Sequence, residues 1–325
     1  MDNRTTNRCN IVKETTPVPE LSESQHKAVE GPWILRVTRT IARHLTDYFI
    51  LVKMRLTLLV LTTAAVGYIL ASDGAINPTH LPLTMLWTFC LIGGANALNQ
   101  VLERNTDALM DRTRNRPLPA GRLSTDEALY VGTTLSIVGL FGFKLTTNAL
   151  TACLGAIALA LYLFAYTPLK RKSEFCTLVG AIPGAIPPLI GWAAVRGELG
   201  PGAWALFALQ YVWQFPHFWA IAWLYKDDYA RANLKMLPVN DVAGWGTARQ
   251  VMLYSIILLP VSLLPAAVGL AGIRYAIGAI ILSGLVITLS TGLLVSRSTR
   301  AARRLMAVAI LYLPIMLIIM ILDQV

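Results

Sequence analysis

Apolar runs long enough to cross about 30 Å of hydrocarbon as helices recur along the whole of this 325-residue chain. Nine can be placed, near residues 50–72, 83–104, 127–144, 147–167, 175–195, 202–224, 251–270, 274–295 and 304–323. The residues are 55% hydrophobic and only 14% charged, a balance that lies outside the range of soluble globular domains. The expectation is an all-α membrane protein of about nine transmembrane helices around a central cavity.

A formal net charge of +10 raises the question of nucleic acid, and the positions of the basic residues answer it. Alternate connections hold Arg112, Arg114, Arg116 and Arg122, then Lys170, Arg171 and Lys172, then Lys226, Arg231, Lys235 and Arg249, then Arg297, Arg300, Arg303 and Arg304. The intervening connections hold only Lys144, Arg196 and Arg274. By the positive-inside rule the first set is cytoplasmic, which puts the N-terminus inside and, with nine spans, the C-terminus outside. No nucleic-acid partner is needed to explain the charge; the partner it implies is the lipid bilayer. Residues 1–46 are polar and carry TTPVPELSESQ, so they read as a flexible cytoplasmic tail ahead of a membrane domain over 47–325. Within the tail, WILRVTRTIARHL at 33–45 interleaves basic and apolar residues, as a segment lying along an anionic membrane surface does. Cys9, Cys90, Cys153 and Cys176 are scattered and suggest neither a disulfide framework nor a zinc site.

The second run ends in NQVLERNTDALMDRTRNRPLPAGR. Asn99, Glu103, Asp107 and Asp111 recur every four residues. Four residues of α-helix turn about 400°, so these side chains form one slanted stripe, and the first three cover about 12 Å of axis. A stripe that begins inside an apolar span faces the bundle interior, because carboxylates at membrane depth cost several kcal/mol unless paired, metal-bound or hydrated. Oxygen ligands one turn apart suit Mg²⁺. The arginines that follow, Arg112, Arg114 and Arg116, suit phosphate oxygens through bidentate hydrogen bonds. Acid followed by base suggests a metal-bridged diphosphate.

A second helix, QFPHFWAIAWLYKDDYARANLKMLP from Gln214 to Pro238, ends in Lys226, Asp227 and Asp228 on the same side, four spans later. Two acidic helix ends facing one another are expected to hold metal on opposite sides of a diphosphate, within an internal repeat of four helices. Lys170 and Arg171, in YTPLKRK, are candidates to clamp phosphate, and equally they are the plain signal of topology. Lys53 and Arg55 are better read as snorkelling to the lipid headgroups. His217 lies within a span, where an imidazole serves as a hydrogen-bonded interior residue, a base or a ligand to iron. The prolines and glycines of GAIPGAIPPLIGW, Gly180 to Trp192, predict a kinked helix beside a widened cavity.

The N-x3-E-x3-D of Asn99, Glu103 and Asp107, with the second acidic helix end, resembles the intramembrane aromatic prenyltransferase superfamily, the UbiA type. DALMDRTRNRPLPAGR (107–122), YTPLKR (166–171), IPGAIPPLIGW (182–192) and QFPHFWAIAWLYKDDYARANLKMLPV (214–239) resemble, more narrowly, the haem O synthases or protohaem IX farnesyltransferases. That resemblance runs from about Asp47 to the C-terminus. It implies transfer of farnesyl from farnesyl diphosphate to the 2-vinyl group of haem b, with addition of water, giving haem O and diphosphate. It also implies Mg²⁺ as cofactor, held by Asn99, Glu103 and Asp107 in the first motif and Asp227 and Asp228 in the second. Haem b is then substrate, not prosthetic group, and haem A synthase is a downstream partner. Glu103 stands where an Asp is usual, and KDDY departs from the evenly spaced D-x3-D of relatives.

On this reading Asn99, Glu103, Asp107, Asp228 and His217 are the catalytic candidates, and Arg112, Arg116, Lys170, Arg171 and Lys226 bind diphosphate. Alanine at Glu103, Asp107 or Asp228 is expected to abolish turnover. The rivals are a prenyltransferase for a quinone precursor and a secondary transporter, which predicts ionisable residues deep in several spans. A structural haem-handling subunit is disfavoured, since only His217 is placed as an axial ligand. The tail lacks transit-peptide character, which favours a bacterial inner membrane, with the active site opening to the cytoplasm.

Overall fold

The computed structural model describes residues 43–325, so the tail over 1–42 and most of the basic segment predicted at 33–45 lie outside the described residues. Among the described residues the architecture is all-helical. The long helices are α1 Met54–Ala71, α2 His80–Asp107, α3 Thr125–Thr146, α4 Ala149–Leu169, α5 Cys176–Arg196 and α6 Pro201–Leu224. Two short helices, α7 Lys226–Arg231 and α8 Leu237–Asn240, precede α9 Trp245–Ala267, α10 Ile273–Ser296 and α11 Thr299–Leu322. Eight of these are long and apolar enough to cross a membrane. The remaining long helix, α6, has 24 residues and carries Gln210, Gln214 and His217 along its length.

The first predicted run, 50–72, is not one helix. Residues 47–51 are helical, the chain turns at Val52 and Lys53, and Lys53 adopts a left-handed backbone with φ 49° before α1 begins. A break of this kind strands backbone carbonyls in an apolar interior, where each needs a donor. Side chains supply them together with the Lys53 N–H: Gln100 Nε2 of α2 donates to Leu51 O at 2.6 Å and Ile50 O at 3.1 Å, and Val52 O accepts from Thr57 Oγ1 at 2.7 Å and from Asn96 Nδ2 of α2 at 3.4 Å. The break turns Lys53 inward.

The proline-rich run behaves as predicted. α5 is interrupted at Ile186, between Cys176–Ala185 and Pro187–Arg196. Pro188 has no N–H to offer the carbonyl of Gly184 four residues back. Gln210 Nε2 from α6 donates to that carbonyl at 2.7 Å, so the kink is closed by a side chain of the neighbouring helix. The second half of α5 packs directly on α1: a Cβ at Gly191 would come within 1.9 Å of Ala64 O, and one at Gly67 within 2.2 Å of Pro188 O. Close approach of backbones at small residues is how apolar helices associate without a hydrophobic driving force.

α4 is α-helical over Ala149–Ala160, then π-helical over Leu161–Tyr166. The wider turn rotates the following residues relative to an α-helix. Tyr162 and Tyr166 consequently lie on the same wall as Lys170, with their rings stacked at 5.7 Å.

Candidate active site

α1, the C-terminal halves of α2, α4 and α6, and the kink of α5 wall a cavity of about 460 Å³, within the size range of small-molecule sites. One end is polar, with Asn99, Glu103, Asp107, Arg112, Arg116 and Lys170 on its wall. The other is apolar and aromatic, with Leu59, Ile92, Trp213, Phe218 and Leu313 among its lining residues. The predicted stripe does face inward, and Asn99 and Asp107 are each only 1% exposed.

Every acid of the stripe has a base. Lys170 Nζ lies 2.7 Å from Glu103 Oε1, and Arg116 lies 2.6 Å from Asp107 Oδ2. Asn99 Oδ1 accepts from Lys53 Nζ at 3.0 Å, and its amide donates to Thr167 Oγ1 at 3.0 Å. Burial alone would pull the Lys170 ammonium down, but the Tyr166 ring, whose centroid is 4.4 Å away, and the Glu103 carboxylate hold it well above the usual lysine range. Lys53 thus corrects the expectation of snorkelling, since it reaches into the polar end of the cavity, whereas Arg55 is exposed. Sequence reasoning had no signal for this, because the inward turn depends on the break at Val52. Tyr162, Tyr166 and Thr167 were missed for the same kind of reason, as the π-helical segment puts them there.

The second acidic end stands apart. Asp111, Arg112, Tyr225, Asp227, Asp228 and Arg231 line an open cleft of about 540 Å³. Asp228 is buried and pairs with Arg231, and it also accepts from the backbone N–H of Arg112 at 3.4 Å. Arg231 bridges further to Asp111 Oδ2 at 2.5 Å, and Asp111 to Arg114 at 3.3 Å. Asp227 and Lys226 are exposed. The link between the two regions is Arg112, which lines both, sits 4.8 Å over the Tyr225 ring and donates to Tyr229 OH at 3.3 Å. Arg171 is exposed and bonds Thr106 Oγ1 at 3.2 Å, beside the cavity wall. His217 is on the wall, within α6.

Among the described residues no three His, Cys, Asp or Glu side chains converge as a ready-made metal cage. The donor set that does border the cavity is oxygen-only and spaced one helical turn apart, which fits a hard cation that takes its remaining ligands from a phosphate. The bases fit the phosphate itself. The arrangement is suited to binding an anionic head at one end and an apolar body at the other.

Comparison with known proteins agrees with that division. The model of the UbiA prenyltransferase family matches residues 60–315. A protoheme IX farnesyltransferase of Solibacter usitatus (strain Ellin6076) is 44% identical over 287 residues, 86% of this chain and 98% of its own. One from Koribacter versatilis (strain Ellin345) is 41% identical over 299 residues, 87% and 95% of the two chains. Among solved structures, a digeranylgeranylglyceryl phosphate synthase superposes with a TM-score of 0.73 at 19% identity, covering 86% of this chain and 98% of that one. A UbiA homologue from Archaeoglobus fulgidus bound to GPP and Mg²⁺ gives 0.59 at 18% identity, covering 84% and 99%. These likenesses, together with the apolar helices and the inward acidic stripe, show that this chain is an integral membrane protein belonging to the UbiA prenyltransferase family.

Proposed function

We propose that the protein transfers the farnesyl group of farnesyl diphosphate to the 2-vinyl group of haem b, with addition of water, giving haem O and diphosphate. The observation that carries this reading is one cavity with a base-lined polar end continuous with an aromatic, apolar body. The curated relatives named as protoheme IX farnesyltransferases support the choice of substrates.

Lys170, Arg116 and Arg112 bind the diphosphate, and Asn99, Glu103 and Asp107 hold Mg²⁺ against it. The solved relative bound to GPP and Mg²⁺ supports that pairing of ligands. When bound, the ion neutralises charge that builds on the departing diphosphate. In the resting protein Glu103–Lys170 and Asp107–Arg116 neutralise one another, so charges can wait in an apolar interior. Arrival of diphosphate and cation exchanges these partners without creating an unpaired charge. The second acidic end acts through Asp228, which fixes Arg112 at the mouth.

The C1–O bond of farnesyl diphosphate breaks, the allylic carbon is attacked by the vinyl π bond, and the resulting cation on the porphyrin side takes up water and loses a proton. Aromatic faces such as Trp213 and Phe218 stabilise cationic character while apolar walls keep bulk water from the allylic carbon. The N-terminus and the polar end face the cytoplasm of a bacterial inner membrane, with the tail at 1–46 outside the catalytic domain. Haem O then serves a terminal oxidase directly or passes on as the precursor of haem A.

The test is incubation of purified protein with haem b, farnesyl diphosphate and Mg²⁺, with and without chelator, reading products by mass. Mg²⁺-dependent haem O, lost in Asp107→Ala, is the expected result. No haem O from folded protein that prenylates an aromatic acceptor instead would overturn the substrate and leave the family intact.

A further inference from the structure

Among the described residues that line the cavity, His217 is the only imidazole. It lies seven residues before the end of α6, about 10 Å from it along the axis. Its ring is fixed rather than free: it stacks on Trp213 with centroids 5.3 Å apart and planes 12° from parallel, and the Trp213 indole is pinned by donating to Ala309 O of α11 at 2.7 Å. Nδ1 is sealed in the interior and has no hydrogen-bond partner. That leaves Nε2 as the nitrogen through which the ring meets the cavity. A buried imidazole that served only packing would ordinarily find a partner for its polar atoms, and the reaction already proposed leaves this one without a task.

The other cavity groups able to bind iron are engaged or packed: Tyr229 OH accepts from Arg112, and Met110 is buried in a cluster with Cys176, Leu234 and Met236. Tyr166 lies under Lys170, Tyr162 is within 3.5 Å of Lys53 Nζ, and Met236 Sδ accepts from Cys176 Sγ at 3.8 Å. We propose that His217 Nε2 is the axial ligand to the iron of the haem substrate, holding the porphyrin with one edge toward the diphosphate end of the cavity. This rests on haem being the acceptor. A metal-binding histidine that is meant to hold permanently donates its other N–H to an acceptor that orients it and raises its basicity. His217 has none, which suits a ligand that must release its porphyrin after each turnover.

The experiment is titration of the purified full chain in nanodiscs with ferric haem and, separately, with metal-free protoporphyrin IX, followed by optical and electron paramagnetic resonance spectra. Wild type is expected to show an imidazole-ligated ferric spectrum and to bind haem at least about tenfold more tightly than the metal-free ring. His217→Ala should lose that spectrum and the preference for iron, and added imidazole should restore the spectrum. His217→Met should give a different, thioether-type signature. Farnesyl diphosphate binding in the presence of Mg²⁺, measured on the same variants, reports that they are folded. Identical haem spectra in wild type and His217→Ala overturn the ligand assignment, and haem O formed in those samples leaves the reaction standing. Absence of both haem binding and haem O in wild type overturns the reaction and the ligand together.

Discussion

Two acidic helix ends meet different surroundings in this molecule. At the end of α2 the pairs Glu103–Lys170 and Asp107–Arg116 are closed inside the cavity, with Glu103 and Lys170 side chains only 13% and 12% exposed. At α7 the pair Asp111–Arg231 is open to an outer cleft, with side chains 60% and 48% exposed. The first arrangement puts charge inside the cavity, where on the proposed reading a ligand would replace the partner. The second forms a bracket for Arg112. A carboxylate's neighbours therefore say less about its role than the dielectric in which the pair sits.

The sharpest way to break this contrast is at the stripe. Asp107→Ala or Glu103→Ala, or chelation of divalent metal, is expected to lower haem O formation by roughly 10³-fold or more. Product mass in single-turnover assays reads it. A loss of similar size in Asp227→Asn would erase the distinction, because that side chain is exposed and is expected to change turnover by less than about twofold. Asp228→Asn lies between. It loosens Arg112 without removing it, so a loss of about 10- to 100-fold is expected, carried mainly by KM for farnesyl diphosphate.

Stability should show the same ordering on a smaller scale. Lys170→Met leaves Glu103 buried without its base and should destabilise the ligand-free protein by about 3 kcal/mol. Much of that should return in the double variant with Glu103→Gln. Arg114→Met, at the pair with Asp111 that is exposed on both sides, should cost under about 1 kcal/mol in the same thermal unfolding series. Equal costs would mean that the inner end is as hydrated as the outer one.

Much of the fold was legible because lipid imposes simple rules on a chain. Length and apolarity mark the spans, and the four-residue spacing from Asn99 to Asp107 marks a stripe that has to face inward. The prolines of the fifth run announce its kink, and the observed break at Ile186 follows. α6 was recognisable as a long helix, although it is not among the eight long and apolar enough to cross a membrane.

The site was legible only in part. Asn99, Glu103, Asp107, Arg112, Arg116, Lys170 and His217, all visible as candidates, do line one cavity, whereas Asp227 and Asp228 line the outer cleft. Residue types and spacing determined which helix face carries charge, since a helix repeats on a scale of four residues and the membrane penalises exposed carboxylates. Where each charge finds its partner was left to tertiary structure. Lys53 reaches Asn99 because Gln100 and Asn96 cap a broken helix some 45 residues earlier in the chain, and the tyrosines face the cavity because α4 widens into a π-helix. The first is decided between helices, by donors that satisfy stranded carbonyls, and no single stretch of residues contains both halves of such a contact.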